Sequence, residues 1–181
     1  MIDELDVLRI VVKRLESAGI PYMITGSIAA NFYTTPRMTR NIDIVMDVEE
    51  KDTEILFSLF FNDFYVNKDS IKNAIRTKQI FNIIHNEGIV KVDFIIRKDS
   101  NYRKIEFKRR RSMVFEGLKI HITSPEDLIL SKLFWAKESL SEMQIRDVRN
   151  LLKTVHNLDI NYIEKWVREL GLEEVYNEVK K

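Results

Sequence analysis

The sequence predicts an α/β (α+β) fold in which helices flank a mixed β-sheet and a C-terminal helical bundle follows. Short apolar runs alternate with amphipathic segments over the first two thirds of the chain, which is typical of strands and helices that share one sheet. From Ser124 onward the apolar residues recur at helical spacing only. We therefore divide the chain into an α/β core over residues 1–122 and a helical region over residues 123–181 that packs on it.

The same periodicities place the individual elements. Glycine, proline and asparagine mark the ends, with Gly19 closing the first helix and residues 86–88 forming a hairpin turn. In chain order the predicted elements are a helix at 3–18, a strand at 22–25, a helix at 28–33, a strand at 41–46, helices at 50–61 and 69–76, strands at 78–85, 89–96, 112–115 and 118–122, and helices at 125–138, 141–154, 159–169 and 172–180.

Composition excludes several classes of function. The 181 residues carry 29 basic and 28 acidic side chains, so the net charge of +1 gives no global signal for nucleic-acid binding. Cysteine is absent, which excludes disulfides, thiolate zinc sites and a cysteine nucleophile. Charges interrupt the apolar pattern of the first helix, so it resembles neither a signal peptide nor a membrane span. We expect a cytoplasmic protein with no membrane contact.

The charge is uneven in one segment. Residues 103–111 hold six lysines or arginines against one glutamate. Two interpretations stay open: a solvated, charged element, or a docking patch for a polyanion.

Two acids stand inside apolar strands. Asp43 lies between Ile42 and Ile44, and Asp93 interrupts the apolar run over residues 90–96. A carboxylate in such a run is costly to bury without a partner, so a shared cation is the functional interpretation and a cap or surface residue the structural one. Asn41 projects to the same strand face as Asp43 and adds an oxygen ligand. This set suits Mg²⁺ or Mn²⁺.

A Gly26-Ser27 turn precedes the second predicted helix. Glycine lets the backbone approach a phosphate, while the helix N-terminus and the Ser27 hydroxyl offer hydrogen-bond donors. Taken alone, such a turn is usually only a corner between a strand and a helix. The acids that follow in the sequence favour phosphate binding as the interpretation of this turn.

Together these residues resemble the motifs of the nucleotidyltransferase superfamily, which includes DNA polymerase beta and antibiotic nucleotidyltransferases. The matching pieces are Thr25-Gly26-Ser27, Asn41-Ile42-Asp43-Ile44 and Asp93. Residues 35–43 are most similar to the bacterial branch that contains abortive-infection toxins of type IV toxin–antitoxin systems. The C-terminal part adds residues 124–128, Lys132 and residues 146–148, and the resemblance covers about residues 20–152.

The resemblance implies transfer of a nucleoside monophosphate from a nucleoside triphosphate to an acceptor hydroxyl, on an RNA 3′ end, a protein or a small molecule. It also implies the roles of the residues and a cognate antitoxin as a partner. Catalysis and metal binding would fall to Asp43, Asp93 and Asn41, and nucleotide binding to Gly26, Ser27, Lys132, Arg40 and Asp147.

Asn41 departs from the family pattern, which has an acid at this position. Its amide oxygen can ligate a metal but brings no charge. The alternative function is therefore a catalytically impaired relative that binds nucleotide or a partner protein.

Apolar neighbours on the same helix predict core packing for Phe134 and Trp135 rather than base stacking.

Overall fold

The computed structural model describes residues 2–39, 41–139 and 141–181. Its helices and strands, which include a 3₁₀ helix at Glu50–Asp52, follow the predicted order closely. They are α1 (Glu4–Ser17), β1 (Tyr22–Thr25), α2 (Gly26–Asn31), β2 (Asn41–Met46), α3 (Thr53–Phe60), β3 (Phe64–Tyr65), α4 (Lys68–Thr77), β4 (Ile80–His85), β5 (Lys91–Ile96), α5 (Asn101–Lys108), β6 (Arg111–Phe115), β7 (Leu118–Ile122), α6 (Pro125–Ser139), α7 (Glu142–Thr154), α8 (Ile160–Glu169) and α9 (Glu173–Lys180).

The strands form one mixed sheet of seven strands in the order β3-β4-β5-β2-β1-β7-β6. The central pair β2 and β5 is parallel, as is the pair β1 and β7, and the remaining neighbours are antiparallel. The predicted fold class, a mixed sheet flanked by helices with a helical C-terminal part, is confirmed.

Alternation along the central strands gives the sheet two different faces. Every second residue of β2 and β5 is fully buried, and on this packed face Phe60 of α3 meets Phe94 with 5.6 Å between ring centroids. The intervening residues of both strands are only partly buried. They include Asp43 and Asp93, which therefore share the second face.

The helix α6 is buried on nearly all sides over its first nine residues. One apolar cluster runs from Val7 in α1 through the sheet and α6 to Val179 in α9. The boundary between residues 122 and 123 stays a prediction. Within the described ranges, no helix combines the length and the apolarity needed to cross a bilayer.

Three elements differ from the sequence expectation, and one of them is the two-residue strand β3, which was not predicted. The helix α5 covers much of the basic segment, where no helix was predicted, because its apolar side is formed by only a few residues such as Tyr102 and Phe107. The helix α2 begins at Gly26 and ends at Asn31, two residues earlier than predicted at both ends. The glycine is thus the first residue of the helix itself.

Candidate functional site

Polar side chains from four neighbouring strands form one row across the second face of the sheet. Asp43 of β2 is paired with Asp93 of β5, and Thr25 of β1 and Asn82 of β4 extend the row on either side. Successive side chains of a strand point to opposite faces, so the apolar neighbours of both acids are buried on the packed face. The packing of those neighbours fixes the register that brings the two carboxylates side by side.

The turn that opens α2 touches the Asp43 carboxyl group directly. Gly26 has a φ of +64°, and a Cβ atom at this position would overlap the Asp43 carboxylate oxygen. Only glycine meets both conditions, because other residues rarely adopt this φ and any side chain would displace the acid. The glycine therefore lets the backbone approach the carboxylate closely.

Charge at the carboxylate pair is only partly balanced. Burial is the main cause that raises the pKa of Asp43 from 3.8 to about 6, and repulsion from Asp93 adds to it. Lys132 and Lys91 lower the pKa of Asp43 but do not offset these two effects. Two carboxylates in this situation favour a cation between them.

The donor set fits a hard divalent cation. The described residues contain no group of three or more acidic, histidine or cysteine side chains placed to hold an ion. Mg²⁺ at phosphate-binding sites is commonly held by one or two carboxylates together with water and substrate phosphates, so Asp43 and Asp93 are sufficient. Asn41 is exposed on the same face, two residues before Asp43, and offers an amide oxygen.

A lysine lies beside the acids. Lys91 is the parallel-strand neighbour of Asn41, and its Nζ atom lies 2.9 Å from Oδ2 of Asp93. Lys91 was not predicted as a site residue from the sequence. The one local signal is its spacing, two residues before Asp93 on the same strand, which places both side chains on one face.

A chain of hydrogen bonds links the turn at α2 to the C-terminal helices. The Lys132 Nζ atom of α6 donates to Asp147 Oδ2 of α7 at 2.8 Å and to Gln144 Oε1 at 3.1 Å. Arg37 Nη2 donates to the same Asp147 oxygen at 3.0 Å and to Ser27 Oγ at 2.6 Å. Asp147 is thus bound by Lys132 and Arg37 together.

In this chain of hydrogen bonds, two cationic side chains, Lys132 and Arg37, donate to one buried acid, Asp147. Lys132 and Asp147 are 3% and 6% exposed. Burial lowers the pKa of Lys132, and the hydrogen bond to Asp147 only partly opposes this effect. Burial alone would raise the pKa of Asp147, but hydrogen bonds from Arg37 and Lys132 outweigh it and lower the pKa. Because Asp147 has Arg37 as a second partner, it does not depend on Lys132 alone.

The carboxylates line a groove between the second face of the sheet and α6, with a volume of about 320 Å³. Gly26, Asp43, Asp93 and Lys132 occupy one part of it. The groove continues toward side chains of mixed character, which include Lys78, Ile80, Lys98, Arg103, Phe134 and Trp135. The groove thus combines charged groups with apolar and aromatic side chains.

No protein-family model and no curated protein matches the sequence, whereas solved structures resemble the fold. The lincosamide antibiotic adenylyltransferase LnuA, bound to lincomycin, is 16% identical, with 84% of this chain and 98% of that chain covered and a TM-score of 0.57. ANT(2″)-Ia in complex with adenylyl-2″-tobramycin is 13% identical, with coverages of 93% and 98% and a TM-score of 0.63. An antigenic nucleotidyltransferase-like protein from Paracoccidioides brasiliensis is 18% identical, with coverages of 96% and 90% and a TM-score of 0.54. The chain has the nucleotidyltransferase fold.

On the nucleotidyltransferase fold, the structure brings most of the predicted site residues together. Gly26, Asp43, Asp93 and Lys132 line one groove, and hydrogen bonds connect Ser27 to Lys132 through Arg37 and Asp147. Asn41 lies on the same sheet face. Arg40 is outside the described residues. The catalytic, metal-binding and nucleotide-binding roles of these residues stay predictions.

One expectation is wrong for an aromatic residue in this groove. Trp135 was predicted to pack in the core, yet it is 46% exposed and lines the groove. Its neighbours Leu130 and Leu133 are fully buried, so the helix turns a different side to the core than the one that carries Trp135.

Three of the six basic side chains in residues 103–111 form ion pairs with buried acids of the fold. Arg103 pairs with Glu106 at 2.8 Å, Arg109 with Asp127 at 3.1 Å, and Arg111 with Glu126 at 3.5 Å. All three acids are at most 4% exposed at the side chain. This weakens the interpretation of the segment as a docking patch for a polyanion, because half of its cations already have internal partners.

Proposed function

We propose that this protein is a nucleotidyltransferase that moves a nucleoside monophosphate from a nucleoside triphosphate to an acceptor hydroxyl. One observation carries the proposal: Asp43 and Asp93 stand side by side, against a glycine turn with no room for a side chain, in a nucleotidyltransferase fold. In the reaction, the acceptor hydroxyl releases its proton to water as its oxygen forms a bond to the α-phosphorus. The bond to the bridging oxygen breaks, and pyrophosphate leaves with that oxygen.

We infer the role of each residue from its position in the groove. Asp43 and Asp93, with the amide oxygen of Asn41, would hold Mg²⁺ or Mn²⁺, which when bound polarises phosphate oxygens and favours ionisation of the acceptor hydroxyl. Backbone N–H groups at Gly26 and Ser27 would bind the terminal phosphates. Lys132 opposes the negative charge of the triphosphate from the other wall of the groove.

Asp147 and Arg37 act through their neighbours. Asp147 holds the Lys132 ammonium group at 2.8 Å, and Arg37 holds the Ser27 hydroxyl at 2.6 Å. Arg37 is part-buried and donates to both Ser27 and Asp147, so it lies next to the proposed phosphate site at Ser27. We assign Arg37 to the nucleotide site together with Arg40, the residue predicted from the sequence.

The acceptor belongs to the far part of the groove. LnuA and ANT(2″)-Ia are known with lincomycin and adenylyl-2″-tobramycin, so this fold accommodates small molecules with hydroxyl groups. The exposed Trp135 and Lys98, which line the same groove, also suit an aromatic, anionic acceptor such as an RNA 3′ end. A protein hydroxyl and a cognate antitoxin remain proposals from the sequence resemblance alone.

The test is transfer of labelled nucleotide. Purified protein is incubated with Mg²⁺ and each α-labelled nucleoside triphosphate, together with total tRNA, cell lysate or a panel of aminoglycosides and lincosamides. We expect transfer by the wild type to one class of acceptor and a loss of at least a hundredfold in Asp43→Ala. The exposed Asp99→Ala is the matched control and should keep full transfer. Transfer that persists in Asp43→Ala would contradict the proposal.

A second candidate rests on Asn41 and Lys91. The amide removes one negative charge and Lys91 neutralises Asp93, so the centre is poorer in negative charge than one with three carboxylates. A catalytically impaired protein that binds nucleotide or a partner protein follows from this. Transfer by Asn41→Asp but not by the wild type would favour this candidate.

A further inference from the structure

Lys91 occupies a specific place relative to the two acids. On the second face of the sheet, Asp43 and Asp93 form one row and Asn41 and Lys91 form the next. The Lys91 ammonium group lies 2.9 Å from Asp93, and its charge also acts on Asp43. It therefore lies beside position 41, where a carboxylate is missing, and in contact with Asp93.

The formal charges of this arrangement can be compared with those of a site that has three acids. Among the strand residues, Asp43 and Asp93 bring two negative charges and Lys91 one positive charge, so a single divalent ion gives this set a net charge of plus one. Lys132 of α6 adds the same charge to both arrangements and does not change the comparison. A carboxylate at position 41 without Lys91 would reach the same net charge only with two divalent ions. Asn41 and Lys91 together thus replace one divalent ion in the charge balance.

Solvent does not remove this charge. The Asp93 side chain is only 16% exposed and that of Lys91 38%, so the pair is less screened than one on an open surface. A second ion bound at Asp93 would have to displace Lys91 from its partner or lie next to its positive charge. Both alternatives weaken binding of a second ion.

We propose that this site takes one divalent ion, and that Lys91 supplies the positive charge that a second ion would bring. The inference rests on the proposed function, because it concerns the same metal site. It explains how a site with Asn41 keeps the charge that phosphoryl transfer requires. Lys91 then sets the metal stoichiometry and is more than a partner that orients Asp93.

Counting bound Mn²⁺ tests the proposal without any nucleotide or turnover. The full-length chain is titrated with Mn²⁺, and the electron paramagnetic resonance signal of the free ion gives affinity and stoichiometry. The variants are Lys91→Met, Lys91→Arg, Asn41→Asp and the double variant Asn41→Asp/Lys91→Met. Lys119→Met, at an exposed lysine of the strand β7, is the matched control, and Asp43→Ala identifies the site.

The wild type should bind one Mn²⁺ and lose it in Asp43→Ala. Removing the nearby positive charge in Lys91→Met should tighten Mn²⁺ binding roughly tenfold or more, while Lys91→Arg stays within about threefold of the wild type. The double variant should bind two ions. Lys119→Met should match the wild type, because its lysine is on an outer strand.

Two failures can be told apart. If the wild type binds Mn²⁺ through Asp43 but Lys91→Met behaves like Lys119→Met, or the wild type binds two ions, the inference is overturned and the proposed function stands. If the wild type binds no Mn²⁺, or Asp43→Ala binds it equally well, then Asp43 is not part of a metal site. This result would contradict both the inference and the proposed function.

Discussion

At the scale of single residues, the position of Asp43 shows that an ionised carboxylate in this site lowers the stability of the metal-free protein. Its carboxyl is packed against Gly26 and next to Asp93, and its pKa is raised to about 6, mainly by burial. A carboxyl whose pKa is higher in the folded than in the unfolded chain binds protons more tightly when folded. Its contribution to stability is present below pH 4 and is lost as the pH rises through 6.

Asp43→Asn should therefore stabilise the metal-free protein at high pH. We expect a gain of roughly 1–3 kcal/mol in the free energy of unfolding at pH 8 relative to wild type, and almost no difference at pH 4. Urea unfolding in EDTA at both pH values measures it. Mg²⁺ at pH 8 should reverse the order by stabilising the wild type alone. The exposed Asp99→Asn should show no such dependence on pH, and an equal gain there would contradict this account.

At the scale of elements, the buried acid Asp127 is one of the groups that attach α5 to the C-terminal helices. The Asp127 side chain is fully buried and accepts hydrogen bonds from Ser124 at 2.7 Å, Tyr162 at 2.7 Å and Arg109 at 3.1 Å. The Arg109 guanidinium group also lies over the Tyr162 ring, 3.9 Å from its centroid. Asp127, which belongs to α6, thus connects Arg109 at the C-terminal end of α5 to Tyr162 of α8.

Asp127→Asn should destabilise the fold by about 2–4 kcal/mol, because the amide removes the charge that Arg109 pairs with and satisfies fewer donors. Lys104→Ala, at an exposed position of α5, should stay within about 0.5 kcal/mol of the wild type. Denaturant unfolding of both variants measures the difference. A cost for Asp127→Asn no larger than that for Lys104→Ala would show that the basic segment is held by other contacts.

Most elements and their order could be predicted because burial of one side of a strand or helix makes apolar residues recur at a regular spacing in the local sequence. The acids at positions 43 and 93 were visible for the same reason, since each interrupts an apolar strand. The pairing of Lys91 with Asn41 was not, because a register between strands fifty residues apart depends on how both pack on the helices beneath. The contact of Arg37 with Asp147 spans 110 residues and has no local signal either.

At the scale of the whole molecule, the site lies where two parts of the chain meet. Gly26, Asp43 and Asp93 come from the sheet and its first turn, whereas Lys132 and Asp147 come from the C-terminal helices. A triphosphate that contacts both sides would link them. Its binding energy should then add to the stability of the whole fold, by RT ln(1 + [L]/Kd) for ligand concentration [L].

Lys132→Met separates this ligand effect from stability itself. Asp147 keeps Arg37 as a partner at 3.0 Å, and a buried methionine of similar length replaces the lysine stem, so the ligand-free protein should lose less than the roughly 3–5 kcal/mol typical of a broken buried ion pair. With Mg²⁺ and a preferred triphosphate at about 100 times the wild-type Kd, the wild type should gain about 2.7 kcal/mol and the variant 1 kcal/mol or less. Lys137→Met, at an exposed lysine of the same helix, should keep the full gain. If Lys132→Met gains as much as the control, the triphosphate does not reach α6, and nucleotide binding is confined to the sheet and the Gly26 turn.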